Sequence, residues 1–137
     1  RCLVLSQLGS VYTWQRKTTD ALNTYFRQLE IARHMSSDYY LQDAYLGLGY
    51  VYELENEWDK ALRYSLKALP YSEKTGDPFD KAFAYNHIGS QYLGLGNKQR
   101  AEEYISKAIS VFQSNGYMDQ LGDAHINLAR VFAAKKE

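Results

Sequence analysis

Residues 48–61 read LGYVYELENEWDKA, and the same pattern occurs twice more in the chain. It stands forty residues earlier as LGSVYTWQRKTTDA at 8–21 and forty residues later as IGSQYLGLGNKQRA at 88–101. The three copies share a glycine, a tyrosine three positions later and an alanine nine positions after the tyrosine: Gly9, Tyr12 and Ala21; Gly49, Tyr52 and Ala61; Gly89, Tyr92 and Ala101. Repetition at this period is typical of stacked supersecondary units, so we predict an array of repeats.

Each unit is predicted to contain two helices. Apolar residues recur at helical spacing on both sides of the quoted turn, as at Leu48 and Tyr52 before it and at Ala61 and Leu69 after it. Short turns at 16–17, 56–57 and 96–97 make the two helices antiparallel. The helices are predicted at 2–15, 18–34, 38–55, 58–75, 78–95, 98–114 and 118–134. Pro70 is expected to bend or locally break the fourth helix near Leu66, whose carbonyl the proline ring displaces.

The boundaries between units carry helix-ending and helix-starting residues. Gly76 can adopt the left-handed conformation that stops a helix, Asp77 can cap the next helix, and Pro78 fits its first turn. Ser37 or Asp38 is the candidate cap one unit earlier, and the pair at 115–116, Asn-Gly, is the candidate stop one unit later. These signals divide one domain, 1–137, into repeats at about 1–37, 38–77, 78–117 and a partial repeat at 118–137.

The repeated small residues predict close helix packing. Glycine inside a helix costs about 1 kcal/mol relative to alanine, so its recurrence at one position indicates a packing requirement. We expect Gly9, Gly49 and Gly89 to let the second helix of each unit approach the first, with the repeated alanines meeting them from the other side. The tyrosine three positions after each glycine should fill the space around that contact.

Composition limits the partners of the chain. Sixteen Lys and Arg balance sixteen Asp and Glu without a one-signed stretch, so no direct nucleic-acid partner is expected. No apolar stretch is long enough for membrane insertion. The single cysteine, Cys2, fits a reducing compartment, and we expect a cytoplasmic location. The chain begins and ends inside the repeat pattern, which predicts a fragment of a larger protein.

The repeated residues resemble the tetratricopeptide repeat, whose pattern has a Leu-Gly pair, a Tyr three positions later and an Ala nine positions after it. The matching residues follow the pairs at 8–9, 48–49 and 88–89, and Leu128, Ala129 and Phe132 open a fourth unit. The unit is six residues longer than the usual thirty-four, as in kinesin light chains, bacterial peptide-receptor regulators and sensor regions of bacterial signalling proteins. The resemblance implies an all-α, right-handed α-solenoid of antiparallel helix pairs with about three and a half repeats.

The same resemblance implies a concave groove lined by the first helices, which holds peptides or partner segments. Carried over position by position, the groove residues would be Leu3, Ser6, Ser10 and Thr13; Asp43, Leu46, Tyr50 and Glu53; Phe83, Asn86, Ser90 and Leu93; and Asp123, Ile126, Arg130 and Ala133. Tyr50 and Phe83 could anchor apolar side chains, and Asn86 could bond a peptide backbone. The acidic residues favour a basic or apolar segment. In other members of this family, lysines and asparagines of the groove clamp a C-terminal carboxylate. Only Asn86 and, more distantly, Arg130 are of the right type here, so that specificity is not expected.

No residue pattern points to chemistry. The three histidines lack metal-ligand spacing, and no nucleophile, acid–base pair or phosphate loop stands out, so we expect no catalytic residues, metal or cofactor. The leading hypothesis is a protein-interaction module that binds a peptide or helical segment. Two alternatives remain open: a sensory or regulatory domain of a bacterial signalling protein or transcription regulator that controls an attached output domain, and self-association through exposed repeat ends.

Overall fold

A computed structural model describes residues 1–136, and within them the chain forms seven α-helices and no strand. Their bounds are α1 Cys2–Trp14, α2 Thr18–Met35, α3 Asp38–Leu54, α4 Trp58–Thr75, α5 Pro78–Gly94, α6 Lys98–Asn115 and α7 Met118–Lys135. Each helix packs against the next, and α1, α3, α5 and α7 also contact one another in succession. The predicted all-α class and the right-handed solenoid of antiparallel helix pairs are confirmed.

Left-handed residues end the helices at two series of positions, both with the period of forty. Arg16, Asn56 and Gly96 turn the chain inside the pairs, with φ of 59°, 59° and 83°. Ser36, Gly76 and Gly116 turn it between pairs, with φ of 52°, 69° and 75°. Glycine adopts a positive φ more readily than other residues. Gly76 and Gly116 do so directly after α4 and α6, and the helix stops predicted there are confirmed.

Side-chain caps begin the helices after these turns. Asp77 accepts a hydrogen bond from the Phe79 amide at 2.9 Å, with Pro78 in the first turn of α5. Of the two candidates one unit earlier, Ser37 is the cap, and it accepts from the Tyr40 amide at 3.3 Å. These bonds satisfy amide groups that no helical carbonyl can reach.

The repeated glycines lie where two helices meet. A Cβ atom on Gly89 would overlap the Ile105 side chain and lie 3.1 Å from the Ala101 carbonyl oxygen. A Cβ atom on Gly49 would likewise overlap Ser65 and lie 3.1 Å from the carbonyl oxygen of Ala61. The close approach of the second helix to the glycine of the first, opposite a fully buried alanine, is thus confirmed at Gly49 and Gly89, whereas a Cβ atom on Gly9 would meet the ring of Tyr25.

The repeated tyrosines fill the sides of this contact. The Tyr52 ring stacks on Tyr64 with centroids 5.6 Å apart, and Tyr92 stacks on Tyr104 at the same distance. Both rings are half-buried, as is Tyr12 in the first pair. The predicted space-filling role is therefore met by stacking across the second and third helix pairs.

Pro70 does not interrupt α4, which continues to Thr75. The predicted local break is wrong, and the bend at this position stays a prediction. The helix holds because α4 is packed along its length against α3 and α5, and that packing offsets one missing backbone hydrogen bond. No helix within residues 1–136 is long and apolar enough to cross a membrane.

Candidate functional site

The first helices of successive pairs, α1, α3, α5 and α7, line a groove with a volume of about 670 Å³. It is lined by side chains from α1, α3, α5 and α7, together with Tyr25 from α2 and Phe112 from α6. We call this space the groove. Its lining residues are Ser10, Thr13, Trp14, Tyr25, Tyr39, Gln42, Asp43, Leu46, Gly47, Tyr50, Phe79, Asp80, Phe83, Asn86, His87, Phe112, Gln120, Asp123, Ile126 and Asn127.

The groove brings together many of the residues that the repeat pattern placed there. Of the predicted set, it contains Ser10, Thr13, Asp43, Leu46, Tyr50, Phe83, Asn86, Asp123 and Ile126. The others lie outside it: Leu3, Ser6, Glu53, Ser90, Leu93, Arg130 and Ala133. Most of these residues lie in the C-terminal half of a first helix.

Glu53 is occupied by contacts between α3 and α5. Its Oε1 accepts a hydrogen bond from Gln91 Nε2 at 3.1 Å and lies 3.7 Å from His87 Nδ1. The Glu53 side chain is only 16% exposed. This carboxylate therefore ties two repeats together and does not face the groove.

Three more of the predicted groove residues lie outside it for different reasons. Ser90 is buried inside the stack, and Leu93 packs against the core formed by Ala101, Ile105 and Val131. Arg130 is exposed, and its Nη1 donates to the Asn127 side-chain oxygen at 3.3 Å. Arg130 thus reaches the groove only through Asn127.

A row of aromatic rings forms the middle of the groove. His87 lies between Tyr50, at a centroid distance of 5.4 Å, and Phe83, at 4.6 Å. Phe83 in turn stacks on Phe79 at 5.8 Å. Tyr50 is 40% exposed and Phe83 36% exposed, so both rings still present apolar surface to an occupant.

Tyr25 reaches the groove from a second helix, which the repeat pattern did not predict. Its ring lies between Gly9 and Gly47, and a Cβ atom on either glycine would overlap it. The Tyr25 hydroxyl comes within 3.5 Å of Ser10 Oγ on the groove side. Burial raises the pKa of Tyr25, and hydrogen bonding with Ser10 and Thr13 partly offsets that rise. The neutral hydroxyl is therefore a fixed polar group in the groove floor.

The part of the groove around Asp43 and Asp80 is acidic. Asp43 Oδ2 accepts hydrogen bonds from Ser6 Oγ at 2.7 Å and from Gln28 Nε2 at 2.8 Å, which hold the carboxylate in place. Asp80 Oδ2 accepts from Thr75 Oγ1 at 3.1 Å. Burial raises the pKa of Asp80, the Thr75 bond opposes this, and the charges of Asp77 and Asp43 add to it.

Tyr39 stands in the same acidic part of the groove and is 53% exposed. Burial of its hydroxyl raises the pKa of Tyr39, and the charges of Asp43 and Asp80 raise it further. Tyr39 therefore lies near both carboxylates. Tyr39 and Phe79 are one helical turn before Asp43 and Phe83, so extending the predicted stripe by four residues would have found them.

The other part of the groove carries amides. Asn127 Nδ2 donates to Asn86 Oδ1 at 3.0 Å, which joins α7 to α5. The Asn86 side chain is thus partly engaged, but its own amide donors make no hydrogen bond within residues 1–136. Within residues 1–136, no group of three or more His, Cys, Asp or Glu side chains could hold a metal ion.

Comparison with known proteins agrees with the helix stack. A family model described as "Tetratricopeptide repeat" matches residues 40–114, more than half of the chain, and a second model of that description matches 4–39. No curated protein gives a significant match to the sequence.

Solved structures share the fold at low sequence identity. The apo form of RapI is 20% identical, with a TM-score of 0.90 over 98% of this chain and 49% of RapI. A signal transduction ATPase with a tetratricopeptide repeat sensor, from Pyrococcus horikoshii, is 22% identical, with a TM-score of 0.82 over 98% of this chain and 21% of that one.

A Rap protein complexed with competence and sporulation factor is 18% identical, with a TM-score of 0.74 over 97% of this chain and 43% of that one. This chain therefore spans about half or less of the length of each of these three proteins.

Proposed function

Because this chain belongs to the tetratricopeptide repeat family, we propose that it is a protein-interaction module that binds a peptide or helical segment in the groove. No catalytic step is assigned to it. The observation that carries the proposal is the row of partly exposed aromatic rings around Tyr50 and Phe83, set in a groove that crosses several repeats. Aromatic anchors in concave pockets dominate binding energies at protein interfaces.

The size and chemistry of the groove fit a short peptide. About 670 Å³ lies within the range of about 300–1,000 Å³ typical of ligand sites. The groove offers an apolar wall at Tyr50 and Phe83, with the amide donors of Asn86 beside it for a peptide carbonyl. The Rap protein solved with competence and sporulation factor, which has the same fold, supports a bound partner for such a repeat array.

The test is a selection of random nonapeptides by display on the immobilised chain, followed by affinity measurements on the enriched peptides. We expect Tyr50→Ala with Asn86→Ala to weaken binding at least about tenfold, because each loses a contact of about 1 kcal/mol or more. The matched control is Phe26→Ala with Asn23→Ala on α2, outside the groove, where Phe26 is 38% exposed.

The control pair should change affinity less than about twofold, as expected for residues that do not touch the ligand. Circular dichroism of all variants checks that the helices remain. Failure to enrich any peptide, or equal losses in the groove and control variants, would overturn the proposal.

A second candidate is a sensory domain that responds to the same peptide by changing its curvature. The Pyrococcus horikoshii ATPase, in which a repeat array of this fold is a sensor, supports it. Small-angle X-ray scattering of the chain with and without a selected peptide separates the two candidates. A changed radius of gyration favours the sensor, and an unchanged one favours the interaction module.

A further inference from the structure

We propose that the bound peptide carries a lysine or arginine whose cationic group lies between Asp43 and Asp80, against the ring of Tyr39. This inference rests on the proposed function, since it names the chemistry of the peptide that occupies the groove. Two observations support it. The groove is lined by carboxylates and by no lysine or arginine, and the aromatic rings beside Asp43 and Asp80 have no lysine or arginine of the chain over their faces.

The charge of the groove is unbalanced. Three carboxylates line it, those of Asp43, Asp80 and Asp123, whereas no lysine or arginine does. Among the described residues, the salt bridges join Lys60 to Glu57, Lys135 to Glu102, and His87 to Glu53 when the histidine is protonated, so none reaches a groove aspartate. A cationic side chain would supply the missing charge.

The Asp43 carboxylate is already held in position for such a contact. Ser6 and Gln28 both donate to Oδ2, which leaves Oδ1 without a hydrogen bond from residues 1–136. Asp80 likewise uses Oδ2 for Thr75, and its Oδ1 makes no such bond. Each carboxylate thus keeps one acceptor oxygen for a partner, which matches the several donors of a guanidinium or ammonium group.

Many aromatic rings outside the groove have a lysine of the chain over their faces, whereas those beside Asp43 and Asp80 do not. On the outer surface, lysine ammonium groups of the chain lie 5.2–5.7 Å from the ring centroids of Tyr52, Tyr64, Tyr71, Tyr85 and Tyr104. No lysine or arginine of the described chain covers Tyr39, Phe79 or Phe83 in this way. A partner lysine or arginine could place its alkyl stem on these rings and its charge at the carboxylates.

The position of Arg130 indicates which part of the groove would receive the cationic side chain of the peptide. Arg130 bonds to Asn127, which lines the groove four residues after Asp123. Within residues 1–136, no salt bridge reaches Asp43 or Asp80. Burial also raises the pKa of Asp80, and a bound cation would offset that unfavourable environment.

The experiment uses the nonapeptides selected on the whole chain. We expect lysine or arginine to be enriched at one position of the selected peptides. A peptide with arginine at this position is then compared with the same peptide carrying citrulline, a neutral analogue of arginine, and we expect citrulline to weaken binding at least about tenfold. On the Asp43→Asn/Asp80→Asn variant the same replacement should change affinity less than about twofold. Asp80→Asn alone, which leaves the Ser6 and Gln28 contacts intact, should show an intermediate effect.

Asp59→Asn with Asp119→Asn is the matched control, because it removes two exposed charges outside the groove. Citrulline should weaken binding to this control as strongly as to the unchanged chain. Selected peptides without a basic residue, or a citrulline effect that persists in the Asp43→Asn/Asp80→Asn variant, would overturn this inference and leave the proposed function standing. If no peptide is enriched, both fall together.

Discussion

Replacing Gly89 with alanine should destabilise the chain, although the same change in an ordinary helix is favourable. The new Cβ atom would overlap Cγ1 of Ile105, where carbon atoms normally keep about 3.5–4.0 Å, and it would lie 3.1 Å from the Ala101 carbonyl oxygen. Ile105 is fully buried and branched at Cβ, so it cannot turn away. Overpacking of this kind costs up to about 3 kcal/mol. Alanine regains about 1 kcal/mol of helix propensity, so we expect a net loss of about 1–2 kcal/mol.

Gly122→Ala is the matched control, because Gly122 also lies inside a helix but a Cβ atom added there would meet no other atom within 4 Å. This variant should gain up to about 1 kcal/mol. Urea denaturation followed by circular dichroism measures both changes. In an Ile105→Ala background, the loss caused by Gly89→Ala should shrink or change sign, since the clashing atoms are gone. Stabilisation by Gly89→Ala in the unchanged background would refute the reasoning.

Three further predictions concern groups that are buried or half-buried. Because the folded state raises the pKa of Asp80, it binds the proton more tightly than the unfolded state, and this group lowers stability as pH rises from the unfolded pKa through the folded pKa. Asp80→Asn should therefore raise the urea midpoint at pH 7 and leave it unchanged near about pH 3, below the ordinary aspartate pKa; equal shifts at both pH values would contradict this. Gly47→Ala should cost about 1–3 kcal/mol by displacing Tyr25, and the cost should vanish in a Tyr25→Ala background, measured by the same denaturation. Ser72→Ala removes the donor to the buried Gln42 oxygen at 2.9 Å and should cost about 1–3 kcal/mol of unfolding free energy; a loss below about 0.5 kcal/mol would show that another group satisfies Gln42.

The helix boundaries could be predicted from sequence because local chemistry sets them. Every helix begins at the predicted residue and ends within one residue of the predicted end. Gly76, Asp77 and Pro78 act within a few residues of the boundary, so no knowledge of distant contacts is needed. Pro70 is the opposite case, because whether a helix survives an internal proline depends on packing along its whole length.

The groove could be predicted only in part because repeat positions are not equivalent in three dimensions. Tyr50 and Phe83 line the groove as expected, since they face the same way on successive first helices. Glu53 occupies an expected groove position but turns to Gln91 and His87, two side chains of the next first helix. No pattern within one repeat reveals which neighbour a polar side chain will find in the next.

Tyr25 shows why some groove residues escape a repeat-based prediction altogether. It belongs to a second helix, whose side chains are expected in the core, yet its hydroxyl lines the groove. The ring passes between Gly9, which recurs every forty residues, and Gly47, which does not. The equivalents of Gly47 in the other repeats are Gln7, His87 and Asn127, so no other repeat has a glycine at this position.

The repeated and unrepeated residues therefore have different roles in this chain. Positions that recur, such as Gly49 with Gly89 and Ala61 with Ala101, lie where two helices meet, and a Cβ atom on either glycine would overlap a side chain of the second helix. Positions that face the groove differ between repeats: Asp43, Phe83 and Asp123 are equivalent, as are Leu46, Asn86 and Ile126, and Gly47, His87 and Asn127. Several of these groove side chains also bond between helices, as Asp43 does with Ser6 and Gln28 and Asn86 does with Asn127, so a change of residue there alters the stack as well as the groove surface. The proposed function assigns recognition of the partner to these groove positions, where the residue differs from one repeat to the next.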